Sequence, residues 1–141
     1  MAKLNGPKLK QLSTVRRREA AALIRQKHYD GAYYLLGYSV ECALKACIAK
    51  QTKKLDFPDK QFVQSAYTHN LEKLLGLSGL EQKFKADFSK NKVLEVNWAT
   101  VKDWSEASRY EVGITSKQAR DMYSACTSRK NGVLTWIRDK W

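Results

Sequence analysis

"YYLLGYSVECALKACIAK", residues 33–50, is the most apolar run of a strongly basic chain, yet Glu41 and Lys45 stand four residues apart in its middle. Laid on a helical wheel at about 100° per residue, Leu36, Val40, Ala43 and Cys47 fall on one side with Tyr33, Gly37, Leu44 and Ile48. Tyr34, Tyr38, Glu41 and Lys45 form a neighbouring stripe, and Leu35, Cys42, Ala46 and Ala49 take the far side. A helix that is apolar or small almost all round is buried on more than one face. The segment is therefore either the central helix of a bundle or a helix that also faces a second subunit. An exposed acid-before-base pair at this spacing contributes only a few tenths of a kcal/mol. With Tyr34, Tyr38, Leu44 and Ile48 beside it, the pair is expected to be partly buried. A partly buried carboxylate needs more partners than one lysine.

Upstream, helical periodicity predicts a first helix from Pro7 or Lys8 to Lys27, with Pro7 tolerated in its first turn. Leu9, Leu12, Leu23 and Ile24 are its apolar positions, and His28, Asp30 and Gly31 read as a short break or kink. The central helix then runs from Tyr29 or Asp30 to Lys50. Downstream, "QTKKLDFPDK" is a polar loop in which Pro58 stops the helix. "HNLEKLLGLSGL" predicts a short helix from His69 or Asn70 to about Gly76. "SGLEQKFKADF" and "KVLEVNWATVKDW" predict further helical pieces, with a strand as the alternative at Val93–Val101, where β-branched residues collect. Thr115 and Gln118 form a capping box, and Ala119, Met122, Tyr123, Cys126, Lys130, Val133 and Ile137 follow at helical spacing. The expectation is a single domain over residues 1–141. Its class is all-α, an antiparallel, up-and-down bundle of about five helices.

The 141 residues suffice for one domain with its own core, and two prolines and seven glycines argue against low-complexity segments. Gly31 to Val40 is the longest uncharged apolar run, well short of the roughly 20 residues of a membrane span. The first residues lack the apolar segment of a signal peptide, so a cytoplasmic protein without a membrane partner is expected. Cys42, Cys47 and Cys126 have no CxxC spacing and no clustered histidine, and read as buried reduced thiols; no metal and no cofactor are implied. The net charge is +12, of which +8 falls in residues 1–60. Such a surface attracts polyanions or an acidic protein, unless the charge serves solubility alone. Arg16, Arg17, Arg18, Arg25 and Lys27 are the candidate basic surface, with a solvated helix face as the alternative.

"YDGAYYLLGYSVECALKACIAK", then "HNLEKLL" at 69–75, then "DWSEASRY" at 103–110 before a last helix, resemble in order and spacing a HEPN domain of the small prokaryotic branch. The resemblance spans about residues 14 to 138 and is most specific in "GYSVECALKA". It implies a short helical bundle, a homodimer, and association with a minimal nucleotidyltransferase, as in a toxin–antitoxin pair. Catalytic members of that family are metal-independent ribonucleases. They carry an Arg and a His separated by four to six residues near the start of the last helix. Arg109 matches the Arg, but the His positions hold Ile114, Thr115 and Ser116. A hydroxyl cannot replace imidazole as a proton shuttle near neutral pH, so the ribonuclease motif is broken. The resemblance then implies a non-catalytic dimeric accessory of a nucleotidyltransferase, or an RNA- or nucleotide-binding module. The alternative is a divergent ribonuclease using Arg109 with His69 or Tyr110.

The residues themselves suggest a polar cluster of Glu41, Lys45, His69, Arg109 and Tyr110, serving either as a binding site or only to fix loop geometry. His69 has a second reading in helix capping beside Thr68 and Asn70. Arg109 and Tyr110 suit a phosphate, or an anchor to Glu41 or Glu111. Trp98 and Trp104 could stack on bases or fill the core.

Overall fold

The computed structural model describes residues 5–53 and 60–141. Among them the chain is all-helical: α1 (Gly6–Arg25), α2 (Tyr29–Lys53), α3 (Lys60–Ser65), α4 (Leu71–Leu77), α5 (Glu81–Asp87), α6 (Lys92–Lys102), a 3-10 helix (Glu106–Tyr110), α7 (Ser116–Thr127) and α8 (Val133–Arg138). Eight α-helices among the described residues exceed the expected five because several pieces are only six or seven residues long. The strand alternative at Val93–Val101 is overturned. Leu94, Trp98 and Val101 recur at helical spacing and are buried, while Val93 and Val96 face out.

Local signals set most boundaries. The Asn5 side chain accepts from the Lys8 amide at 2.9 Å and starts α1. The break before α2 is tighter than expected. It spans residues 26–28, with Lys27 at φ 62°, so Asp30 and Gly31 already lie in the first turn of α2. α2 continues to Lys53, past the expected Lys50; the expected stop at Pro58 lies outside the described residues. At α7 the capping box forms as read: Thr115 Oγ1 accepts from the Gln118 amide at 3.1 Å, and Gln118 Oε1 accepts from the Thr115 amide at 2.9 Å.

The expected single last helix is two. α7 ends at Thr127, and Gly132 leads into α8. A Cβ on Gly132 would lie 2.6 Å from the carbonyl oxygens of Cys126 and Ser128, closer than any side chain tolerates. The intervening loop is tied to α6, where Asn97 donates to the Asn131 carbonyl and Asn91 to the Asn131 side chain, both at 2.8 Å. Lys130, placed by spacing on the buried face, is an exposed loop residue.

α2 is the axis of the fold. α1 runs back along it, with Gly6 against Ala49, Ser13 against Ser39 and Leu23 against Gly31. This antiparallel seam is lined by small residues, which let the backbones approach. Ser13 and Ser39 each donate to the other's carbonyl, at 2.8 and 2.6 Å, so the buried hydroxyls are satisfied. α7, α8, α4 and the 3-10 helix pack on the remaining faces of α2. The Trp104 indole lies directly on Gly37, where a Cβ would overlap the ring. Packing within the chain thus buries most of the apolar positions of α2. On the α1 side Cys42 and Ala46 are buried, while Leu35 and Ala49 stay half-buried.

Trp98 and Trp104 are 5% and 3% exposed. Trp98 packs edge-on to Phe84 at 5.3 Å between centroids, and Tyr34 lies 6.0 Å from Trp104. Both indoles belong to the core, which overturns their reading as base-stacking platforms. No helix among the described residues is long and apolar enough to cross a membrane.

Candidate functional site

With α1 on one side of α2 and α4 with the 3-10 helix on the other, one stripe of α2 is left between them: Tyr34, Tyr38, Glu41 and Lys45. Glu41 is 4% exposed. Its Oε2 takes the Lys45 ammonium at 3.3 Å, and its Oε1 lies 2.9 Å from His69 Nδ1. His69 can reach it because Asn70, not His69, caps α4: Asn70 Oδ1 accepts from the Lys73 amide at 3.0 Å. Thr68 Oγ1 supports that turn by accepting from the Asn70 amide at 3.2 Å.

The other ring nitrogen of His69 is also occupied. Nε2 lies 3.1 Å from Glu106 Oε2, in the first turn of the 3-10 helix. Sequence reasoning does not single out Glu106. A single imidazole therefore bridges a buried carboxylate on α2 and a half-exposed one beyond α6. Both contacts are hydrogen bonds at once only when each ring nitrogen carries a hydrogen, since carboxylates accept and do not donate.

Arg109 and Tyr110 sit at the far end of the same 3-10 helix and are exposed. The guanidinium lies 4.9 Å over the Tyr110 ring. Tyr110, and to a lesser degree Tyr34 and Glu106, raise the Arg109 guanidinium above its ordinary value. Among the described residues Arg109 makes no ion pair with Glu41 or Glu111. The structure thus brings Glu41, Lys45 and His69 together and adds Glu106, while Arg109 and Tyr110 form a separate exposed pair beside them. The positions where a ribonuclease histidine would stand serve the helix start. Thr115 is held in the capping box, and Ser116 Oγ accepts from Arg120 Nε at 2.9 Å.

Of the candidate basic residues, Arg16 is the one engaged by an acid: it pairs with Glu19 at 2.6 Å and lies 5.9 Å over Tyr38. That acid raises the Arg16 guanidinium further. Arg17, Arg18, Arg25 and Lys27 make no ion pair among the described residues, and the Nε of Arg17 is buried without a partner. The three cysteines are free and buried. Burial pushes the Cys42 thiol up to about 12 and Cys47 to about 11, and raises Cys126 as well. Among the described residues no group of three or more His, Cys, Asp and Glu side chains is placed to hold a metal ion.

Comparison of the chain with protein-family models, with curated proteins and with solved structures finds no match in any of the three.

Proposed function

We propose that the chain is a non-catalytic HEPN-like module that binds RNA or a nucleotide and serves as the dimeric accessory of a nucleotidyltransferase, in the manner of a toxin–antitoxin pair. The observation that carries the non-catalytic part is the double engagement of His69, by Glu41 at 2.9 Å and by Glu106 at 3.1 Å. A general base must present a free nitrogen to the hydroxyl it deprotonates, and neither nitrogen is free. The binding part is supported by the net charge of +12 together with Arg17, Arg18, Arg25 and Lys27, on and just after α1, which make no ion pair among the described residues. The homodimer and the nucleotidyltransferase partner come from the resemblance of residues 33–50, 69–75 and 103–110 to that family.

A second reading has one observation in its favour. A buried carboxylate behind His69 Nδ1 is how a catalytic imidazole is oriented in many hydrolases, and displacement of Glu106 would open Nε2 as the proton shuttle of a divergent ribonuclease. One titration separates the two. Labelled single-stranded RNA is mixed with the protein in a chelator, its anisotropy followed, and the same mixture then run on a denaturing gel. Binding with intact RNA is expected; cleavage would overturn the non-catalytic reading, and absence of binding would overturn the nucleic-acid role.

A further inference from the structure

α1 and α7 run beside one another and leave a groove of about 370 Å³ between them, lined by Ala21, Ile24 and Arg25 of α1 and by Arg120, Tyr123 and Ser124 of α7. Its size is near the lower end of the about 300–1,000 Å³ typical of ligand pockets. The floor is apolar and the two walls each carry an arginine. No acid lines it. Asp121 is bound to Lys117 at 2.7 Å, and Asp30 accepts from the amides of Ile114 at 2.7 Å and Gly113 at 3.4 Å.

The helix dipole accounts for only one of the two arginines. Arg25 sits in the last turn of α1, where a cation complements the helix dipole. Arg120 sits in the second turn of α7, where the dipole gives a cation nothing. Its Nε is fixed by Ser116 Oγ at 2.9 Å, and its guanidinium lies 5.9 Å over Tyr29. Hydrogen bonds to Ser116 and Arg120 lower the Tyr29 phenol. The fork of Arg120 is thus held in place without an acid. One turn before Ala21 on the same face of α1 stands Arg17, whose buried Nε has no partner among the described residues, and Lys27 follows just past Arg25.

We infer that the α1–α7 groove is a phosphodiester-binding site for single-stranded RNA, in which Arg25 and Arg120 clamp the backbone and Tyr123 meets a sugar or base. Guanidinium forks match phosphate oxygens in pairs, and an aromatic ring beside such a clamp accepts any base. The inference rests on the RNA-binding reading above and assigns that binding to residues away from the Glu41–His69–Glu106 cluster.

The test is anisotropy of a labelled single-stranded RNA over about 50 to 200 mM salt, for wild type, Arg25→Gln/Arg120→Gln, and the charge-matched control Lys83→Gln/Lys90→Gln around α5. The groove variant is expected to bind about tenfold or more weakly. Its salt slope should be shallower by about 1.4, at roughly 0.7 for each phosphate that is no longer neutralised, while the control stays near wild type. Ser124→Arg, which adds a cation at an exposed position, is expected to tighten binding several-fold and guards against a folding artefact in the double variant. If the groove variant falls no further than the control and Ser124→Arg has no effect, the groove is overturned while the RNA-binding reading stands. If wild-type protein binds no RNA at low salt, that reading fails and the groove with it.

Discussion

The Nδ1 of His69 lies 2.9 Å from Oε1 of Glu41, across 28 residues of sequence, and this contact fastens the start of α4 to the middle of α2. Glu41 is the only buried carboxylate among the described residues. An ionised group in that position is tolerated only while its acceptor oxygens are filled. Lys45 fills one and His69 the other.

Removing His69 leaves a buried oxygen with a single lysine near it. His69→Ala is therefore expected to destabilise the fold by about 1–3 kcal/mol, the cost of an unmade buried hydrogen bond. Glu106→Gln weakens an interaction with a half-exposed carboxylate and is expected to cost no more than about 1 kcal/mol. Urea denaturation checks both, read as a shift of midpoint at unchanged slope. Equal costs would mean that Glu41 does not depend on His69.

Gly37 has no room for a methyl group, because the Trp104 ring occupies the space. Gly37→Ala is expected to displace the indole and to destabilise by about 1–3 kcal/mol, as overpacked cores do, although alanine is the better helix former. Tryptophan fluorescence should shift with it, since Trp104 is 3% exposed in the native fold. An unchanged emission maximum and melting temperature would count against this packing.

What was legible in the chain was local. The composition of residues 33–50 gave away α2, Asn70 and Thr115 gave away two helix starts, and Glu41 with Lys45 announced a need for further partners. The division between α7 and α8 was not legible, because Met122, Cys126, Val133 and Ile137 keep helical phase across the break, whereas the tight space at Gly132 and the ties of Asn131 to Asn91 and Asn97 are tertiary. Glu106 was not legible either. Nothing in "DWSEASRY" marks one carboxylate as facing His69, 37 positions earlier, until a 3-10 helix turns it there. The all-round apolar wheel of α2 does not by itself say which of its faces are covered within the chain, because pattern carries no information about where a covering face comes from.

Burial raises the thiols of Cys42 to about 12 and Cys47 to about 11, raises Cys126, and raises the phenols of Tyr33 and Tyr38. Groups whose folded values lie above their unfolded ones contribute stability that is fully present below the unfolded value and lost as pH climbs toward the folded one. The urea midpoint is therefore expected to hold up to about pH 9, near the ordinary thiol value, and to fall above it. At pH 8 a thiol with a value near 11 is ionised in about one molecule per thousand, so a thiol reagent should label none of the three cysteines in native protein and all three in urea. Rapid labelling of folded protein would contradict the packing of α2.

Glu106 gives the decisive variant for the question of catalysis. If His69 is a structural bridge, Glu106→Ala frees Nε2 into solvent without creating a ribonuclease, because Arg109 stays on Tyr110 at 4.9 Å and Thr115 and Ser116 stay in the start of α7. Wild type, Glu106→Ala and His69→Gln should then leave single-stranded RNA equally intact in a chelator, over hours and at more than one pH. A divergent ribonuclease predicts the opposite ordering. Freeing Nε2 would raise cleavage by the 10²- to 10⁴-fold, roughly, that a positioned general base contributes, and His69→Gln would abolish it. Cleavage by Glu106→Ala that disappears in Glu106→Ala/His69→Gln would establish His69 as a catalytic residue held in reserve by Glu106, and would replace the binding-module reading.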